Sequence, residues 1–133
     1  MRIKYSKIIP FKGFMAMNLY GTLFIRKEFK ERWESRYTKK TRDRILNHES
    51  IHSAQAHDFC KINWIGYTIF YIVYRLLWIV EIIRPPYNKA YKDVCFEKEA
   101  YVNEDDLNYL KTRKKWSWMR KMYWRNYITK KKK

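Results

Sequence analysis

At 133 residues the chain is long enough for one domain with a single modest core. Its 30 Lys and Arg residues outnumber 13 Asp and Glu residues, and the formal net charge of +17 predicts an anionic partner, either a phospholipid surface or nucleic acid. Two cysteines, Cys60 and Cys95, are too few for a disulfide framework, which excludes the class of small disulfide-stapled secreted domains. Glycine and proline are scarce, so helix should dominate.

The first segment, residues 1–14, is basic, and Pro10 and Lys12 interrupt its apolar part. It lacks a small-residue cleavage site, so we expect no signal peptide and a cytoplasmic protein. From Phe14 to Arg26, large apolar residues occupy most odd-numbered positions, whereas the even-numbered positions are more polar. This alternation predicts one long strand or, with a turn between Asn18 and Gly21, a hairpin. It is either a plain core strand or an edge strand that holds an extended peptide beside the next helix.

The segment from Lys27 to Lys40 is densely charged. Phe29, Trp33 and Tyr37 are spaced four apart, so it forms either a short helix or a solvated connection. Thr41 is the predicted N-cap of a helix that runs to about Cys60.

The middle of that helix carries the pattern H-E-x-x-H at His48, Glu49 and His52. Two histidines four residues apart lie on one helix face, so both imidazoles can bind one ion. Glu49 lies beside that face, where its carboxylate can act on a water molecule. Neutral nitrogen ligands, an open position and a carboxylate base are what hydrolysis at Zn²⁺ needs. The alternative is an exposed polar helix.

Three neighbouring residues are further candidates for the site. Gln55 shares the face of the two histidines. Three roles are open for it: contact with the substrate, orientation of a metal ligand, or an ordinary polar position on the surface. Asp58 lies ten residues after His48, but a continuous helix carries it about 15 Å further along the axis, which disfavours it as third ligand. His57 has the same difficulty.

The segment from Trp64 to Ile83 is the most apolar, interrupted by Arg75 and Glu81. Twenty residues are long enough to cross a hydrocarbon core, although an arginine near the middle costs about 2.5–3.5 kcal/mol on insertion scales. The segment is either a membrane-embedded or interfacial helix, which would place the protein at or in the inner membrane, or a long buried helix.

Pro85 and Pro86 end that helix, and the next begins near Asn88. It carries Glu97, which can return beside the histidine helix and is the predicted third ligand. Glu99 faces roughly away from Glu97 and is the alternate ligand. The other interpretation is that both are ordinary surface glutamates.

The segment from Lys111 to Lys133 has eleven basic residues, no acidic ones, and interleaved Trp and Tyr residues. Such a segment suits an anionic membrane surface, where Trp and Tyr lie at the lipid interface. It also suits nucleic acid, where the same rings stack on bases.

The two metal-binding helices together resemble the gluzincins, the thermolysin-like clan of zinc peptidases, with H-E-x-x-H on one helix and a glutamate ligand on a later one. The spacing of Glu97 and Ala100 resembles the E-x-x-A-D signature of membrane-embedded gluzincins, including CAAX-type proteases and β-lactam-sensor peptidases. This resemblance implies that His48, His52 and Glu97 bind Zn²⁺ and that Glu49 is the catalytic base. Tyr101 stands where those families have the aspartate that supports the ligands.

A closer resemblance covers about residues 14–120. The motifs N-H-E-x-I-H-x-x-Q and F-E-x-E-A-Y, with an apolar helix between them, resemble a group of short proteins from Bacteroidetes-type bacteria. It implies a minimal gluzincin-like domain and no particular substrate.

We therefore expect a mainly helical α+β domain over residues 1–128, followed by a disordered basic tail over 129–133. A short strand or hairpin precedes the active-site helix, a long apolar helix and a Glu-bearing helix. The expected function is zinc-dependent hydrolysis of a peptide or protein substrate, with Tyr101, His57 and Gln55 as candidate contacts to the substrate or transition state. The second function class is a basic membrane-surface or nucleic-acid-binding protein with a non-catalytic H-E-x-x-H.

Overall fold

The computed structural model describes residues 1–83 and 94–121, and it confirms a mainly helical α+β fold. The strands are β1 (Arg2–Ser6), β2 (Ala16–Leu19) and β3 (Thr22–Arg26). The helices are α1 (Lys39–Phe59), α2 (Asn63–Ile83), α3 (Cys95–Asn103) and α4 (Tyr109–Thr112). A 3-10 helix over Ser117–Lys121 ends the described chain.

The three strands form one sheet in the order β1-β3-β2. β2 and β3 are the arms of an antiparallel hairpin, so the hairpin alternative is the correct one. Its turn residues Tyr20 and Gly21 both have positive φ, 49° and 81°. β1 pairs parallel to β3 and was missed by the sequence analysis, although Ile3 and Tyr5 alternate with polar residues.

The charged segment after β3 contains a 3-10 turn (Lys27–Phe29) and a turn of π-helix (Arg32–Arg36). Trp33 is buried with Leu23 and Ile25 of β3, and Ile45 and Leu46 of α1 pack against the same cluster. This small core fixes one face of the sheet against the first half of α1.

The N-cap of α1 lies three residues earlier than predicted. The chain is extended at Thr38, whose side chain accepts a hydrogen bond from the backbone N–H of Thr41 at 3.2 Å. Thr38 is therefore the N-cap, and Thr41 already lies within the first turn.

Helix α2 spans the predicted apolar segment and crosses α1 closely. A Cβ atom on Gly66 would lie 2.3 Å from the carbonyl oxygen of Cys60, so only glycine permits this approach. The inner face of α2, with Tyr67 and Phe70, is buried, whereas much of its outer face is exposed. Among the described residues, α2 is therefore buried on one face only, and the choice between an interfacial helix and a buried one stays open.

Helix α3 is preceded by Val94 in a non-helical conformation and begins at Cys95. The predicted start near Asn88 and the proline pair lie outside the described residues. Beyond α4, Trp118 is buried and packs with Phe59 and Phe96, and Trp116 packs beside it. Trp118 is therefore a core residue and Trp116 packs against the core while partly exposed, and the anionic partner of the basic segment stays a prediction. Its remaining rings and the predicted tail lie outside the described residues.

Candidate metal centre

Three side chains from two helices converge at one point. Helix α1 presents His48 and His52 one turn apart, and α3 packs beside α1 so that Glu97 faces both imidazoles. The two Nε2 atoms lie 3.1 Å apart. The Glu97 carboxylate oxygens lie 3.4 Å from Nε2 of His48 and 3.3 Å from Nε2 of His52. One ligand atom from each residue lies within 4.8 Å of the others, so the cluster could hold a metal ion.

Glu97 is 2% exposed, so the interpretation of a surface glutamate is wrong. The Tyr74 hydroxyl of α2 donates a hydrogen bond to its Oε1 at 2.8 Å. Its Oε2 is buried and has no hydrogen-bond partner among the described residues. A buried carboxylate oxygen without a partner is costly, and a bound cation would satisfy it.

His48 is oriented by a residue that the sequence analysis missed. Its Nδ1 lies 2.9 Å from Oε2 of Glu104, the residue that follows α3. A carboxylate accepts, so Nδ1 carries a proton and Nε2 is the nitrogen that faces the cluster. Glu104 lies seven residues after Glu97, two helical turns along the same face, and that spacing was the available signal. Glu104 thus supplies the carboxylate that orients the His48 ring, a role for which Tyr101 has no carboxylate. The centroids of the Tyr101 and His48 rings lie 4.8 Å apart.

His52 is oriented by an amide. Its Nδ1 lies 2.8 Å from Oε1 of Gln55. The Nε2 of Gln55 donates to the Phe96 carbonyl at 3.0 Å and to Glu99 at 2.9 Å. Both partners can only accept, so an amide turned by 180° would lose these two hydrogen bonds. Nδ1 of His52 is therefore the protonated nitrogen, and Nε2 faces the cluster. Gln55 is fully buried, so of its open roles the structure supports ligand orientation.

Glu99, the alternate ligand, lies outside the cluster. Its Oε1 accepts from the Arg113 guanidinium and the Tyr109 hydroxyl, each at 2.7 Å. Asp58 accepts two hydrogen bonds from the same guanidinium at 3.0 and 2.7 Å. Both carboxylates are thus counter-ions of Arg113, and the low expectation for Asp58 as a ligand agrees with this placement.

His57 lies nine residues after His48 and so points from the opposite side of α1. It is exposed and shares a hydrogen bond with Asn63 at 3.2 Å. It therefore does not face the cluster.

Glu49 lies next to the cluster without being one of its three members. Burial raises the pKa of its carboxyl group, and nearby His52 and His48 oppose that rise. No side-chain hydrogen bond to the Glu49 carboxylate is found within the described ranges. It is thus available to accept a proton.

The electrostatics of the cluster favour positive charge. Burial would raise the pKa of Glu97, but His52 and His48 outweigh it and hold that pKa well below its usual range. Burial likewise lowers the pKa of His48, yet its contacts with the carboxylates of Glu104 and Glu97 raise it to about 10, so without a metal the ring is protonated at neutral pH. The site therefore stabilises a cation between its three members.

The edge strand β2 lies beside α1. The Asn18 amide donates to the backbone carbonyl of Glu49 at 2.9 Å and to the Ser53 hydroxyl at 3.1 Å. Within the described sheet, the edge of β2 opposite β3 pairs with no strand. The Arg26 N–H donates to the Met15 carbonyl across the hairpin. Along an antiparallel strand, residues that bond to the neighbouring strand alternate with residues whose backbone groups face away from it, so those of Ala16 and Asn18 face the free edge.

Comparison with known proteins finds no matching family model, no matching curated protein and no matching solved structure.

Proposed function

We propose that this chain is a zinc-dependent peptidase of gluzincin-like type. The observation that carries the proposal is the facing pair of imidazole Nε2 atoms at 3.1 Å with the buried Glu97 carboxylate beside them. Both Nδ1 atoms donate to acceptors, so both Nε2 atoms and the carboxylate face each other, and deprotonation of each Nε2 would leave a donor set for one ion. Without a metal, protons on the imidazoles balance the carboxylate, and a bound metal ion would replace those protons.

The donor set suits zinc. Two neutral imidazoles and one carboxylate are the protein ligands of many catalytic zinc sites, which keep a fourth position for water or substrate. Hard oxygen-preferring ions such as Mg²⁺ and Ca²⁺ are poorly matched to two nitrogen donors. A bound zinc ion would lower the pKa of a water molecule and polarise a substrate carbonyl.

Glu49 supplies the proton transfer. Its carboxylate accepts a proton from the attacking water and delivers it to the leaving amine. Its pKa, raised by burial, brings the carboxylate closer to the range in which a group can both accept and return a proton. Burial also raises the pKa of Tyr101 to about 12, so its hydroxyl remains a donor at neutral pH and is our candidate for stabilising the oxyanion.

The free edge of β2 is the feature that favours a peptide as the substrate. The outward backbone groups of Ala16 can pair with an extended peptide, which is a common mode of peptide recognition. The Tyr71 hydroxyl already donates to the Asn18 carbonyl at 2.9 Å, so that carbonyl is engaged. The substrate should therefore pair along β2 at Ala16.

The first test is zinc stoichiometry by mass spectrometry. We expect about one zinc ion per chain in the wild type and its loss in His52→Ala and Glu97→Ala, because each removes a ligand. His57→Ala is the matched control, since it removes the histidine that faces away, and it should retain zinc. Absence of zinc from carefully reconstituted wild-type protein would contradict the proposal.

The second test separates catalysis from binding. Glu49→Gln should retain zinc and lose at least about 100-fold in peptide hydrolysis, because the amide cannot accept the proton. Glu31→Gln, which makes the same change at an exposed position, should leave hydrolysis unchanged. Wild-type rates in Glu49→Gln would remove Glu49 from the mechanism.

A further inference from the structure

The outer face of α2 is an aliphatic stripe. It consists of branched side chains at helical spacing: Ile65, Ile69, Ile72, Leu76, Ile79, Val80 and Ile83. The two central members, Ile72 and Leu76, are 57% and 58% exposed. The inner face instead carries aromatic residues such as Tyr67 and Phe70, which pack in the core. The helix thus has two apolar faces, and the described part of the chain covers only the aromatic one.

The stripe is long and continuous. Helix α2 has 21 residues, which corresponds to about 30 Å, and is the one described helix long and apolar enough to cross a membrane. Trp64 at its beginning is exposed as well. Monomeric proteins rarely leave a contiguous apolar surface of this kind in water, so it marks an interaction surface.

The charges decide which partner fits. Arg75 lies exposed at the border of the aliphatic stripe and Lys61 lies exposed just before the helix. The acidic residue of α2, Glu81, lies on the opposite side of the helix by its position in the sequence. The whole chain has a net charge of +17, which repels a second copy and attracts an anionic surface.

We propose that the aliphatic stripe of α2 lies in the plane of an anionic lipid bilayer, immersed at the boundary between head groups and acyl chains. Interfacial helices typically have aliphatic residues on the face toward the acyl chains and cationic residues along the border of that face. The proposal concerns a surface separate from the metal centre, and it stands whether or not the chain is a peptidase.

The fold favours this orientation over a transmembrane one. The second half of α1 packs against the first half of α2, with Ser53 bonded to Tyr67 and His52 beside Phe70, so a crossing α2 would draw this part of α1 toward the hydrocarbon. The first turns of α1 carry the ion pair of Lys39 and Asp43 and the exposed Arg44. Charged residues at membrane depth are strongly disfavoured, whereas the in-plane orientation leaves α1 in water.

The first experiment is flotation of the full chain with vesicles of phosphatidylcholine, with and without phosphatidylglycerol. We expect flotation with the anionic vesicles. Ile72→Gln/Leu76→Gln removes apolar area without changing charge and should weaken partitioning by roughly tenfold or more. Lys39→Gln/Lys40→Gln installs two glutamines on an exposed turn of α1 and should keep most of the binding, with a modest loss from the lower charge.

The second experiment measures depth. A single fluorescent label is placed at residue 69, 76 or 83 in a Cys60→Ala background, while Cys95 is buried and its pKa is raised to about 12 by burial, so it stays unlabelled. Quenching by brominated lipids should be similar at all three positions if α2 lies in the plane. A graded depth, spread over about 21 Å, would overturn the in-plane orientation.

Two other outcomes overturn the proposal. One is equal flotation of the wild type and Ile72→Gln/Leu76→Gln, with circular dichroism showing both folded. The other is a wild-type dimer in light scattering that the same substitutions convert to a monomer, with no flotation of either protein. The second result would assign the stripe to another copy of the chain.

Discussion

The two histidines of the cluster are held by partners of different chemistry. His48 donates to the charged carboxylate of Glu104, and His52 donates to the neutral amide of Gln55. Both partners fix the tautomer, but only the carboxylate adds negative charge and makes the imidazole a stronger donor to a metal. The ring positions depend on these second contacts as much as on the H-E-x-x-H spacing.

Gln55→Leu tests the amide. The substitution leaves the Nδ1–H of His52 buried without an acceptor and frees the His52 ring to turn. We expect zinc affinity to fall about 10–100-fold, measured by competition with a chromophoric chelator. Ser50→Ala is the control, because it removes a hydrogen bond to the Leu46 carbonyl on the same helix without touching the cluster. Unchanged affinity in Gln55→Leu would show that the ring is oriented by other contacts.

At the scale of elements, one face of α3 and its end contribute two carboxylates to the site. Glu97 at its first turn faces the cluster, and Glu104 just past its end reaches the far side of His48. The spacing of seven residues keeps both carboxylates on one side of the helical path. The Asn47 amide secures the same end of α3 by donating to the carbonyl groups of Asn103 and Glu104 at 3.1 and 3.0 Å.

Glu104→Gln tests the contribution of that carboxylate. The amide can keep a hydrogen bond to Nδ1 but loses the negative charge, so we expect zinc affinity to fall about tenfold while helicity is retained. Asp105→Asn makes the same change of charge at the exposed neighbouring residue and should have little effect. Isothermal titration of zinc into both variants compares them directly. Equal losses would mean that only the overall charge matters.

At the scale of the whole molecule, one buried cation joins three parts of the fold. Arg113, just after α4, bonds Asp58 of α1 and Glu99 of α3, and its side chain is 5% exposed. Glu99 also accepts from Gln55, so the hydrogen-bonded network continues to His52. The segment around Arg113 is therefore coupled to the candidate metal centre through buried polar contacts.

Arg113→Met should destabilise the fold by about 3–5 kcal/mol, because Asp58 and Glu99 remain buried without their counter-ion. Denaturant unfolding followed by circular dichroism measures the loss. Lys114→Met, at the exposed neighbouring residue, should change stability little. If Arg113→Met does not fold, Arg113→Lys keeps the charge but loses the two-pronged contact, and it should show an intermediate loss. Wild-type stability in both variants would contradict this account.

Much of the chain follows from its local patterns. The H-E-x-x-H helix, the apolar helix and the β2–β3 hairpin have periodicities that depend on neighbouring residues alone. Glu97 was identified because a helical hairpin returns a later helix beside α1. In contrast, β1 is a short strand at the start of the chain, and its parallel pairing with β3 depends on a connection that no local signal specifies.

The sequence by itself determined which helix face could hold a metal ion, since the types and spacing of His48 and His52 place two imidazoles there and Glu49 adds a carboxylate beside them. Only the tertiary structure decided the partners across elements. It paired His48 with Glu104, gave Gln55 an orienting role and made Glu99 and Asp58 counter-ions of Arg113. It also left one face of α2 uncovered by the described part of the chain. The reason is physical: a ligand pair four residues apart is set by helix geometry, whereas burial and counter-ions depend on which distant elements pack together.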